Sequence, residues 1–352
     1  MHFSGSYLPT DVEILLDIKN YEEISILEKE RIIQTGEKHY SEVLTEEMKF
    51  PEEYLLMFSQ IFEEKLHQVS DNILSLCKYI STLQNPVLIS LARAGTPYGV
   101  SAKRNLERYF NKKVSHFSIS IIIGKGIDVN ALDLITERHG QTATLIFIDG
   151  WTGKGTISAE LRKSLQAYNP SLNYKLLVLA DIAGVADIAA TRQDYIIPSS
   201  LLNSTVSGLI SRTMINTENK KFHGAKYFGN NIINDLSLFY VDRIDQYIKD
   251  NNLHESISDV LYCDINKKLE MEKMVDDIIE KYEITSKNYL KPGIGETTRV
   301  LIRRNPDFVI LNENYQHSLH HIKLLCDMKN VKVYIENNLP ISSIGVINKF
   351  KS

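Results

Sequence analysis

Cysteine is scarce in this chain: Cys77, Cys263 and Cys326 are the only three in 352 residues, and they stand far apart. Such spacing excludes a disulfide framework and lacks the paired ligands of a zinc site. A reducing cytoplasm is the expected setting. No apolar run approaches the ~20 residues that cross a bilayer, and no charged-then-apolar leader opens the chain. Neither a membrane nor an export route is therefore expected. Two nucleotide signatures are missing as well. The order and spacing of a Walker A loop are not met at Gly153-Lys154-Gly155, and Gly-x-Gly-x-x-Gly is absent. Charge of one sign is scarce locally. Residues 10–66 hold 15 acidic side chains against 6 basic ones, and residues 287–352 hold 10 basic against 5 acidic. An acidic front and a basic tail place any nucleic-acid contact in the tail.

What is present centres on one stretch. Residues 144–148 form a short apolar, β-branched run that reads as a buried strand. It ends at Asp149, followed by Gly150-Trp151-Thr152-Gly153-Lys154-Gly155-Thr156. Ile157, Leu161 and Leu165 then recur at helical spacing. Strand, glycine turn and helix start make a phosphate site, because glycines let backbone N–H groups approach an anion and the helix N-terminus adds positive partial charge. This order resembles the phosphoribosyl pyrophosphate (PRPP) loop of type I phosphoribosyltransferases. In that family an acidic pair holds the ribose hydroxyls. Here Asp149 stands at the second acid and Ile148 at the first.

Further elements follow the same pattern. A helical stripe runs from Tyr54 to Ile80 and reads as a core face. Residues 87–91, 117–123 and 176–180 read as strands, and residues 195–197 as a short one. The first of these runs into Arg93-Ala94-Gly95-Thr96, the second into Gly124-Lys125-Gly126, and the third into Asp181. Residues 198–208 are dense in hydroxyls, with Ser199, Ser200, Asn203 and Ser204 able to line a pocket.

The segments SLARAGTPYGV, FSISIIIGKGID, FIDGWTGKGTISAEL, DYIIPSSLLNSTVSGLISRT and FHGAKYF occur in one order. Together they resemble the phosphoribosyltransferase-like proteins of tellurium-resistance and stress operons, whose members also carry the name cysteine protease StiP. The resemblance covers residues 1–250. It implies an α/β fold, with a type I phosphoribosyltransferase-like parallel sheet and a helical N-terminal extension. Residues 251–266 read as a linker. The α–β–α–β order of residues 267–352 resembles the small α/β/α Pelota, or kink-turn RNA-binding, fold. In that fold a glycine-rich helix start reads RNA. Here it is Gly293-Ile294-Gly295-Glu296, extended by Thr297 and Arg299, with Gly295 where the family prefers Asn.

The resemblance implies a transferase that displaces pyrophosphate from Mg²⁺-bound PRPP by an unidentified nucleophile. In that reading Asp149 faces the ribose, Gly150 to Thr156 hold the 5′-phosphate, and Arg93 to Thr96 hold the pyrophosphate. Lys125 closes over the site, and Asp181 with the hydroxyl-rich stretch takes the nucleophile. Mg²⁺ arrives with PRPP, with Asp149 as a candidate protein ligand. Structured RNA is the expected partner of the tail, and a homo-oligomer is admitted. Two rivals stand beside this. A cysteine protease needs a thiol near a base, and Cys77 falls on a core stripe, Cys326 on the tail's helix, and Cys263 in a stretch with no supporting motif. The other rival is a sensor that binds PRPP-like ligands or nucleotides without turnover, with RNA linked to its tail.

Overall fold

The computed structural model describes residues 3–216 and 221–349. Its centre is a parallel-dominated sheet in a mixed α/β chain. Across it stand Glu13–Ile14, His116–Ile122, Pro86–Ala92, Thr144–Thr152, Tyr174–Asp181, Ile188–Thr191 and Leu261–Tyr262. All neighbours on this path run parallel except the last pair. The middle strands are buried on both faces, which is why they read as continuous apolar runs rather than alternating ones.

Helices cover both faces. Helix α1 spans Ile26–Gln34, and α2 spans Glu52–Ser81. On one face lie α2, α3 (Thr96–Tyr109) and α6 (Ser237–Asp250). On the other lie α4 (Val129–His139) and α5 (Thr156–Tyr168). In α2 the fully buried Tyr54, Phe58, Phe62, Leu66, Val69, Ile73, Cys77 and Ile80 recur every three or four residues, so one stripe of the helix meets the sheet. Cys77 is thus a packing residue, as its position on the stripe implies.

Residues expected as a linker contribute structure of their own. Leu261–Tyr262 joins the first sheet as its antiparallel edge. Helix α7 (Ile265–Lys281) follows at once, capped by the Asp264 carboxylate on the N–H groups of Asn266 and Lys267. The second sheet has the order Leu290–Pro292, Ser343–Ile347, Pro306–Leu311, Lys332–Ile335. Helices α8 (Ile294–Arg303) and α9 (His320–Lys329) pack on it.

Two details depart from the sequence reading. Residues 195–197 are buried but form no strand, and the chain turns there into the short 3-10 helix Pro198–Leu201. The tail also packs directly on the first part, because Ile294, Leu301, Ile302, Leu319 and Ile322 belong to the same hydrophobic cluster as α2 and α6. No helix among the described residues is long and apolar enough to cross a membrane.

Candidate functional site at the seam between two modules

The glycine turn sits where the strand Thr144–Thr152 meets α5. Gly155 takes φ +81° as the residue before the helix, a left-handed conformation that glycine adopts without strain. The expected strand, turn and helix start are all present. The turn is nonetheless covered by the second module. Trp151 Nε1 donates to Glu296 Oε1 at 3.2 Å, and the Arg299 guanidinium lies 5.6 Å from the Trp151 ring centroid. Lys154 Nζ donates to the carbonyls of Lys287 and Leu290. A Cβ built on Gly153 would stand 3.0 Å from Glu296 Cγ, so the two surfaces are in contact.

Burial sets the electrostatics of this turn. It pushes the Asp149 carboxyl up to about 6, against the opposing bond from the Gly150 N–H and the nearby Arg299. Burial also brings the Lys154 ammonium down to about 8, helped by Lys291.

The other predicted site residues are mostly committed to structure. Arg93 is ion-paired with Glu47 and donates to the Ile210 carbonyl at 2.7 Å. Gly95 packs on the Ile148 carbonyl, and Thr96 Oγ1 lies 2.8 Å from Ser118 Oγ, fully buried. Ala94 lies between them in the same turn. Gly150 backs onto the Tyr98 ring. Thr152 Oγ1 donates to Asp181 Oδ1 at 2.6 Å, and Asp181 also accepts from the N–H groups of Val185 and Ala186. That carboxylate holds a return of the chain. Asn203 caps a short turn and donates to the Met48 carbonyl, the Ser204 N–H donates to Glu47, and Ser199 Oγ is bonded to Tyr98. Ser200 is buried with its Oγ unpartnered. Of the residues expected to line an acceptor pocket, Asp181, Ser199, Asn203 and Ser204 are thus bonded within the protein, and Ser200 is not. Lys125 stands exposed on its turn, with His39 in its field.

The expected RNA face is covered too. Gly293 packs on Ile182, and a Cβ on Gly295 would stand 2.9 Å from the Trp151 ring. Thr297 and Thr298 are fully buried, bonded to Ser343 and to Ile294 and His321. Arg299 is paired with Glu296 at 3.0 Å. The helix start meets the first module, and of these residues Arg299 keeps 38% of its side chain exposed.

The residue that fastens this seam was not singled out from the sequence. Asp194 accepts from the Ile294 N–H at 2.9 Å, the Ser342 N–H at 2.8 Å and the Ser342 hydroxyl at 2.6 Å. It opens the stretch DYIIPSS, so the motif was visible and only its partner was not. Lys29, Glu30, Glu47 and Arg212 also converge on the seam from distant parts of the chain, and nothing local marks them.

A model described as the tellurite-like stress resistance cysteine protease StiP matches residues 5–245. A protein named cysteine protease StiP, from Acinetobacter baylyi, is 33% identical over 373 residues, covering 99% of this chain and 94% of that protein. The chain belongs to the StiP family. A second model, the PELOTA RNA binding domain, matches residues 270–349 of this StiP-family chain. Among solved structures, a hypoxanthine phosphoribosyltransferase of Trypanosoma cruzi matches at 17% identity and a TM-score of 0.29, covering 37% of this chain and 82% of that one. The same enzyme in complex with the product IMP matches at 12% identity and a TM-score of 0.29, over 52% and 93% of the two chains. Scores this low carry no argument about activity.

The expected transferase activity is overturned by these matches. The family model and the relative both bear the name of a cysteine protease, the rival reading, and neither is named as a phosphoribosyltransferase.

The three cysteines differ sharply. Cys77 and Cys326 are at most 1% exposed, and burial pushes both thiols up, that of Cys326 to about 12. Cys263 is exposed, and its Sγ lies 3.2 Å from the Gly184 carbonyl. It immediately precedes Asp264, whose carboxylate faces Arg192 at 3.6 Å. Among the described residues no histidine is hydrogen-bonded to a cysteine. One constellation has the composition of a serine triad, with His223 Nδ1 2.8 Å from Ser120 Oγ and Asp128 close by. Asp128, however, accepts from the His223 backbone N–H, and Ser120 is fully buried, so the group braces the sheet.

Proposed function

We propose that this chain is a cysteine-dependent hydrolase of a stress-resistance system, with Cys263 as its nucleophile. The observation that carries the assignment is accessibility, since Cys263 alone of the three thiols faces solvent. A thiolate must reach a substrate carbonyl to attack it, and the buried pair cannot. Proteolysis assays on an unfolded protein such as casein test this. Cys263→Ala should abolish cleavage, whereas Cys77→Ala and Cys326→Ala should keep it in whatever fraction stays folded. Iodoacetamide should label Cys263 first, as read by peptide mass. Full cleavage by Cys263→Ala would remove the assignment.

The second module adds a partner. The PELOTA match supports structured RNA, and with Gly293 packed on Ile182 and Gly295 and Arg299 on Trp151, RNA and the first module would compete for one face. Trp151→Ala removes the ring from that contact. It should tighten binding of a kink-turn RNA by about tenfold, equivalent to about 1.4 kcal/mol of lost competition. Filter binding at two salt concentrations measures it, and binding should weaken as salt rises, because phosphate contacts release counterions. Equal affinity for the two proteins would show that RNA uses another surface.

A further inference from the structure

A cluster of cations lies in the seam without enough carboxylates to neutralise it. Lys29 comes from α1, Arg93 from the turn before α3, Arg212 from the stretch 202–214, and Arg303 and Arg304 from the end of α8. Two carboxylates answer these five cations. Glu47 pairs with Arg93 and Glu30 with Arg304. Lys29, Arg212 and Arg303 are left without a carboxylate bonded to them.

Their hydrogen bonds orient these groups without cancelling charge. Arg212 donates to the carbonyls of Tyr40 and Val43, Arg303 donates to the Leu202 carbonyl at 2.6 Å, and Lys29 Nζ lies 3.4 Å from the Arg303 carbonyl. The Nε–H groups of Arg212 and Arg303 are both buried and have no acceptor. A guanidinium keeps its proton in a protein, so this repulsion is not relieved by titration. Lys29 is relieved that way: burial, Arg212 and Arg304 bring its ammonium down to about 7. Like charges brought together out of water, with donors unfilled, are unfavourable unless something of opposite charge joins them.

We infer that this seam binds a compact polyphosphate, a chain of two or three phosphates, between Arg212 of the first module and Arg303 of the second. The guanidinium fork matches phosphate oxygens in pairs. Two uncompensated guanidinium groups, with Lys29 taking its proton back as an anion arrives, call for an anion of that size rather than for a single monovalent one. These residues lie outside the glycine turn and do not depend on the hydrolase assignment. The ligand fills the orphan Nε–H groups and ties the modules together.

Thermal unfolding of the full chain at constant ionic strength tests this. Inorganic tripolyphosphate and ATP should raise the melting temperature at concentrations about tenfold below those at which inorganic phosphate does. A lower effective concentration for ATP than for tripolyphosphate assigns the site to nucleotides, and the reverse order assigns it to free polyphosphate. Arg303→Gln and Arg212→Gln should lose the response. Without ligand both variants should melt no lower than the wild type, because each removes an uncompensated cation. Arg243→Gln, at an exposed pair with Glu63, should keep the response. The inference fails if neither polyphosphate stabilises the wild type, or if both glutamine variants respond as the wild type does. It fails equally if only an RNA oligonucleotide stabilises it, which would make the seam an RNA-backbone site. If the glutamine variants do not fold, the wild-type comparison alone decides.

Discussion

Replacing Asp194 by Ala should lower the free energy of unfolding by about 3–5 kcal/mol and separate the two modules. The carboxylate accepts three hydrogen bonds from the second module, two of them from backbone N–H groups of Ile294 and Ser342. Alanine leaves both N–H groups without an acceptor in the seam. Asp194→Asn retains one acceptor oxygen and should lose about half as much. Trp151, the single tryptophan, lies in the same seam beside Gly295, so its emission reports the opening directly. Urea titration should show a red shift of that emission at lower denaturant in the alanine variant than in the wild type. A loss below about 1 kcal/mol would mean that the apolar packing of Ile294, Leu301 and Ile302 holds the seam by itself.

Asp149→Asn should act in the opposite sense and stabilise the protein. Burial raises the Asp149 carboxyl from its ordinary 3.8 to about 6. The folded state thus holds the proton more tightly than the unfolded one, so this residue's contribution falls as pH rises from about 4 to about 6. Above that range the wild type carries the full cost of the buried charge. Asparagine has no charge to bury and still offers an oxygen to the Gly150 N–H, 2.8 Å away in the wild type. The variant should be more stable at pH 8 by up to about 3 kcal/mol, less any attraction to Arg299 that is lost. The advantage should disappear below pH 4. Unfolding midpoints for both proteins across pH 4–8 measure it. A variant that is less stable than wild type at pH 8 would show that the Arg299 attraction outweighs burial.

Much of the architecture was legible from local pattern. The strands Pro86–Ala92, His116–Ile122 and Tyr174–Asp181 were expected within two residues at each end, and Thr144–Thr152 starts where expected but runs on to Thr152. Apolar runs bounded by turns have few alternatives when both faces are to be buried. The strand Ser343–Ile347 was not foreseen, although it is one of the two inner strands of the second sheet. Gly345 weakens its pattern, yet a Cβ there would stand 3.1 Å from Val300 and 3.2 Å from the Thr297 backbone. The glycine permits close approach of α8, a reason that lies outside the strand itself.

The sequence by itself determined most of the central strands, the glycine turn and its helix start, and the family to which the chain belongs. These depend on periodicity, short-range turn chemistry and motif order, all written within a few residues. Only the tertiary structure decided what the motifs do. It set Asp194 under α8, turned the Gly293–Arg299 helix start onto Trp151, buried two thiols and left Cys263 exposed. It also gathered Lys29, Arg93, Arg212, Arg303 and Arg304 from four separate stretches into one seam. Burial and charge neighbours depend on which distant residues meet, and a window along the chain holds no record of that.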